Sequence, residues 1–249
     1  MTDRKTLILA AASLAAAIPA TPAIAQDRTD AALLVEATTD HRRRGLSWSD
    51  GDPALDVYGS VTVSGVDIAA RAVSTRNSAR HGGADAAIDL IAGISEDAGP
   101  FTLRGRVIGH FFPGSDDTAY GELNGEVGGS LGPVQVDLSA SYAPEQSSIG
   151  GDNLYLSARG SVGVPATPWT LSAHVGRSTG SVDDPVRANR LRPGGSYTDW
   201  GVSAEYVIGP ATVGARYTGT NVRFDTPAPP IADRTNSGDR IALFASFGF

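Results

Sequence analysis

Residues 101–111 read "FTLRGRVIGHF", from Phe101 to Phe111. Phe101, Leu103, Val107 and Phe111 share one parity, while Thr102, Arg104, Arg106 and His110 share the other. Successive side chains of a strand point to opposite faces, so this stretch reads as a strand with one apolar and one charged face. The pattern repeats along the chain. "LDVYGSVTV" (55–63), "VQVDLSASY" (134–142), "NLYLSARGSVGV" (153–164) and "WTLSAHVGR" (169–177) alternate in the same way. Twelve such segments are expected, at roughly 31–41, 54–64, 66–75, 84–94, 101–111, 119–131, 134–143, 152–164, 169–178, 199–208, 211–220 and 239–249.

The connections alternate in length. Short turns fall at "SGV", "SEDAGP", "LGP", "VPATP" and "IGP", and long polar ones at 42–53, 75–83, 112–118, 143–151, 178–197 and 220–237. Antiparallel hairpins with short turns at one end and long loops at the other are the pattern of an outer-membrane up-and-down barrel. The Greek-key connections of a soluble sandwich would break that segregation. Aromatics of the apolar parity gather at both segment ends: Phe101, Trp169, Tyr206, Phe247 and Phe249 on the short-turn side, and Phe111, Tyr142, Trp200 and Tyr217 on the other. Two such bands match interfacial girdles. The chain ends "RIALFASFGF", and this strand closing on Phe249 is similar to the one by which barrel-assembly machinery recognises bacterial outer-membrane proteins. Phospholipid and lipopolysaccharide are the partners expected around the barrel.

The first 25 residues carry Arg4 and Lys5, an Ala-rich apolar run and Ala23-Ile24-Ala25, which predicts a cleaved signal peptide ahead of a single barrel domain over 26–249. Losing Asp3, Arg4 and Lys5 with it moves the formal charge from −7 to −8. A net acidic chain argues against nucleic-acid binding. The chain has no cysteine, so an exported form relies on no disulfide.

"HRRRGLSWSDGDPAL" (41–55) falls in the first long connection. Asp50-Gly51 and Asp52-Pro53 are turn formers. Arg42, Arg43 and Arg44 are expected at the extracellular mouth, where lipopolysaccharide phosphates or anionic solutes arrive. Here the sequence resembles the Gcw_chp, or TorF-type, porin family of Gram-negative Proteobacteria. Arg44, Gly45, Ser47, Ser49, Asp50, Pro53 and Ala54 match its N-terminal signature, while His41, Arg42 and Arg43 depart from the aromatic residues usual there. "WTLSAHVGRSTG" and "SAEYVIGPATVGARYTG" resemble later hairpins of the family. The resemblance implies an outer-membrane porin, with no catalytic residue and no cofactor.

The inward parity carries charge. Its acids are Glu36, Asp56, Asp67, Asp85, Asp89, Glu122, Glu126, Asp137 and Glu205; its bases are Arg71, Arg104, Arg106, Arg159 and Arg216. Small barrels are filled and large ones open, so twelve strands predict a narrow channel for small hydrophilic solutes. The surplus of acid predicts a weak cation preference. An Asp89–Arg106–Glu126 row, with Arg104 below it, is the expected constriction; a register slip of two would exchange Glu122 and Glu126 with their neighbours. His41, His81, His110 and His174 show no metal-ligand spacing. Two alternatives remain: a lipid hydrolase in the same barrel using His110 or His174, and a non-conducting structural or surface-binding barrel.

Overall fold

The computed structural model describes residues 29–224 and 228–249; the signal peptide expected at 1–25 lies outside the described residues. Twelve antiparallel strands close into one barrel. They are β1 (Thr29–Thr38), β2 (Ala54–Val63), β3 (Val66–Ser74), β4 (Ala86–Ala98), β5 (Phe101–Phe111) and β6 (Tyr120–Leu131), followed by β7 (Val134–Gln146), β8 (Gly151–Gly163), β9 (Trp169–Thr179), β10 (Tyr197–Ile208), β11 (Ala211–Thr220) and β12 (Arg240–Gly248). Each strand pairs with its sequence neighbours, and β1 pairs with β12 to close the ring. Among the described residues the closed barrel leaves no edge strand of its own to pair with another chain.

The alternation sorts the two faces as expected. Ile68, Ile94, Leu131 and Ile241 are each more than 60% exposed on the outside. Glu36, Asp56, Asp89 and Glu122 are buried inside. At the short-turn end Trp169 meets Tyr206 edge-on at 5.1 Å, and Phe247 meets Phe249 at 4.9 Å. Three hairpins there close through Gly99-Pro100, Gly132-Pro133 and Gly209-Pro210, with the glycine at φ of 60–65°. A left-handed residue followed by the fixed negative φ of proline fits a two-residue turn that follows the sheet twist.

One of these turns corrects the expected register. The polar run Ser95–Ala98 reads as a loop, yet Gly99-Pro100 alone makes the turn and β4 continues to Ala98. Asp89 therefore faces His110 rather than Arg106 across the β4–β5 pair, and Glu126 faces Arg104 across β5–β6. The Asp89–Arg106–Glu126 row does not form. Asp85, expected on the inner wall, is exposed in the connection before β4.

The buried apolar cluster lies at the long-loop end. Trp48, Ala84, Ala87, Phe112, Tyr120, Ala143, Ile149 and Leu191 pack together there, joining loop and wall residues. The short-turn half of the lumen has half-exposed polar walls.

At the ring closure, the Phe249 amide donates to the Leu33 carbonyl at 2.9 Å and Leu33 donates back at 3.2 Å. Deleting Phe249 removes both bonds and its ring contact, a loss of about 2 kcal/mol. The deletion should lower the folded, heat-modifiable fraction in lipid vesicles; a parental folded fraction would contradict this role.

Candidate functional site: a lumen occupied by its own loop

Residues 39–53 turn inward from the end of β1 and fold as a hairpin inside the barrel mouth. Arg42 pairs with Ser47 and Arg43 with Leu46, and Arg44-Gly45 forms the tip with φ of 52° and 73°. The loop is organised by Asp40. Its carboxylate accepts from Ser47 Oγ at 2.6 Å, Ser49 Oγ at 3.3 Å and Arg42 Nη1 at 3.0 Å. Ser47 Oγ accepts from the Gly51 amide at 2.9 Å, and Ser49 Oγ from the His41 amide at 2.9 Å. The two serines of the Ser-x-Ser-Asp motif thus build the hairpin's own scaffold around Asp40, and both are wholly buried.

The tip crosses the lumen. Arg43 Nη2 lies 2.7 Å from Asp89 on β4, and its guanidinium sits 4.0 Å from the Trp48 ring centre. Arg44 Nη2 donates to both carboxylate oxygens of Glu122 on β6 at 2.7 Å and covers the Tyr155 ring on β8 at 4.5 Å. Tyr197 Oη on β10 donates to the Arg44 carbonyl at 2.9 Å. A Cβ at Gly45 would come within 2.7 Å of Asp199 Cβ, so the tip is seated against β10 as well. Arg42, Arg43 and Arg44 are therefore not free at the mouth: their side chains are 4%, 17% and 21% exposed. The reason is electrostatic, since unpaired carboxylates on the inner wall draw the cations of the nearest loop inward.

The other long loops cover this hairpin. Arg80 Nη1 donates to the Arg190 carbonyl at 2.8 Å, and Arg190 Nε donates to the Arg80 carbonyl at 3.0 Å. Arg80 also reaches the Ala232 carbonyl at 2.9 Å, and Arg190 reaches Ser148 at 3.1 Å and Thr118. Two buried arginines thus tie five loops together through backbone oxygens.

The remaining expected site residues lie on the inward parity of their strands. Arg71 bonds Asp56 at 3.0 Å, and Arg216 grips Glu36 through two nitrogens at 2.6 and 2.7 Å. Arg104 and Arg106 share Glu126, at 2.6 and 3.5 Å. Glu205 accepts only from Ser203, at 3.4 Å, and Arg159 has no carboxylate within 4 Å among the described residues. His110 Nδ1 lies 2.7 Å from Asp89, and His174 Nε2 lies 3.2 Å from Asp199. Both histidines pair with a carboxylate, but among the described residues neither meets a serine hydroxyl, the contact a serine hydrolase needs.

Sequence reasoning left the inward hairpin unassigned, along with Tyr155, Tyr197, Asp199, Arg80 and Arg190. One signal bore on the hairpin: the inward parity carries more acids than arginines, which leaves wall carboxylates available to loop cations.

Two loop histidines are held neutral. Burial, then Arg43, Arg71 and Arg216, push His41 well below the ordinary histidine value, even though Asp56 lies 3.6 Å away. Burial, then Arg190 and Arg80, do the same to His81, which lies between Trp48 and Phe112. Burial alone would also depress Arg44, but Glu122 with Tyr120 and Tyr197 outweighs it and holds the guanidinium above its usual range.

A histidine whose pKa is lowered in the packed loop takes up a proton more readily when released. The stability it contributes is present above about pH 6.5 and is lost as pH falls below that value. Hydrogen exchange at the Trp48 and Asp52 amides, corrected for intrinsic rates, should therefore be faster at pH 5 than at pH 7.5. His41→Gln with His81→Gln should flatten the difference. Equal protection of the parent at both pH values would contradict this reading.

The fold is shared with solved porins. The KdgM porin superposes with a TM-score of 0.57 at 6% identity, over 88% of this chain and 99% of that one. The NanC porin gives 0.57 at 11% identity, over 86% of this chain and 98% of that one. No curated protein sequence matches the chain. Residues 25–242 match the Gcw_chp family model, described as a bacterial protein of unknown function, and the chain belongs to that family.

Proposed function

We infer that this barrel is an outer-membrane porin for small hydrophilic solutes, closed at rest by its own first loop. The observation that carries the reading is a ring of twelve strands with an apolar outside and a charged inside, whose mouth is filled by a tethered hairpin rather than by the wall. The KdgM and NanC porins share the barrel fold, which supports the porin part of the reading. In this orientation the short turns face the periplasm and the long loops face outward. Phospholipid and lipopolysaccharide contact the apolar band, and the strand ending at Phe249 is the segment offered to the assembly machinery.

The wall sets the selectivity. With the hairpin in place, Asp89 and Glu122 are neutralised by Arg43 and Arg44. With it withdrawn, both carboxylates face the path and favour cations. Arg71, Arg104, Arg106, Arg159, Glu126, Glu205 and Arg216 line the lumen below and bias the field there. A second reading, a barrel that never conducts, is favoured by the same filled mouth.

Planar-bilayer recording separates the two. The parent should show small, intermittent openings. A variant with residues 43–47 replaced by two glycines should conduct at least several-fold more on average, with a reversal potential shifted towards cations in a salt gradient. Silence from both proteins, each confirmed as folded by heat-modifiable migration, would leave the non-conducting barrel.

A further inference from the structure

The Arg44 seat has the composition of a ligand site. A planar cation is held by a carboxylate at its edge and an aromatic ring on its face, which is how proteins recognise guanidinium groups. Glu122 supplies the carboxylate and Tyr155 the ring. Asp199 adds a second acid. Its Oδ1 serves Tyr155 Oη at 3.1 Å and His174 Nε2 at 3.2 Å, while Oδ2 has no partner although the residue is wholly buried. The hairpin tip lies directly against it at Gly45. Such a buried acceptor calls for a further N–H donor.

We propose that Glu122, Tyr155 and Asp199 form a binding site for guanidinium-bearing solutes, and that Arg44 occupies it as a tethered ligand in the closed barrel. The proposal deepens the porin reading by naming a solute class, but the site itself requires no conduction. A solute carrying a guanidinium competes with Arg44 for Glu122, and its binding frees the hairpin. The flat contact with Tyr155 favours a guanidinium over a compact ammonium, and the two acids exclude neutral isosteres. A ligand tethered by a short loop competes at an effective concentration of about the millimolar range, so the parent binds free solute weakly.

Calorimetry on the folded, detergent-solubilised protein tests the site without any current. The Arg44→Ala variant should bind L-arginine amide at least tenfold more tightly than the parent. It should prefer L-arginine amide to L-lysine amide and should not bind L-citrulline amide at equal ionic strength. Adding Glu122→Gln should abolish the binding. Equal affinity for the arginine and citrulline amides, or no binding by Arg44→Ala, would overturn the proposal. Should that variant fail to fold, hydrogen exchange on the parent decides: L-arginine amide should speed exchange over residues 42–49 while L-citrulline amide should not, and identical exchange with both would overturn it. Silence in bilayers from both the parent and the hairpin-shortened variant, alongside positive calorimetry, would remove the porin reading and leave the site standing.

Discussion

The closed mouth depends on one electrostatic constraint: carboxylates placed on the inner wall of a narrow barrel must be paired or hydrated. Asp89 and Glu122 are almost fully buried, and removing the partner of such a charge typically costs about 3–5 kcal/mol. The wall arginines do not reach them: Arg71 is taken by Asp56, Arg216 by Glu36, and Arg104 with Arg106 by Glu126. The loop supplies the missing cations. With Arg43 and Arg44 seated, Trp48 lies in the cluster formed with Phe112, Tyr120 and Leu191, and the other loops cover it. Ion pairs at the tip and apolar packing at Trp48 together hold the hairpin.

The ion-paired anchorage gives the filled mouth its character. A plug made only of apolar residues would be fixed by burial and insensitive to solutes. One anchored by ion pairs can be exchanged for dissolved ions, at the cost of desolvation that keeps each anchor near balance. His41 and His81 lie within the same layer, so protonation acts on the contacts that hold the tip. The short-turn half differs. There Arg159 and Glu205 stay without an ion pair among the described residues, and the inner wall is polar and half-exposed.

The barrel was legible because alternation is a property of each strand alone. Phe101–Phe111 and Trp169–Thr179 announce their faces without reference to any neighbour, and the strand bounds follow to within a few residues. Register was less legible. Glu96 and Asp97 look like loop residues, and only the backbone demands of Gly99-Pro100 show that the strand runs past them. The hairpin was least legible, since whether a loop points out or in depends on charges far away in sequence. Ser47 and Ser49 resemble solvent-exposed turn residues until Asp40 is seen to gather them. The imbalance of inward charge was visible, but read as a cation preference it concealed its structural answer, three consecutive arginines next to a loop glycine.

Since the chain contains no cysteine, the position of the hairpin can be probed one residue at a time. Leu46→Cys places a thiol at a buried position of the hairpin without touching the Asp40 network, and Asp50→Cys places one at its exposed shoulder. Reaction of each with a membrane-impermeant maleimide, on the barrel folded in lipid vesicles at pH 7.5, is the most direct measurement. The account predicts rapid labelling at 50 and at least tenfold slower labelling at 46. Equal rates at the two positions would place the loop outside the lumen and contradict the account.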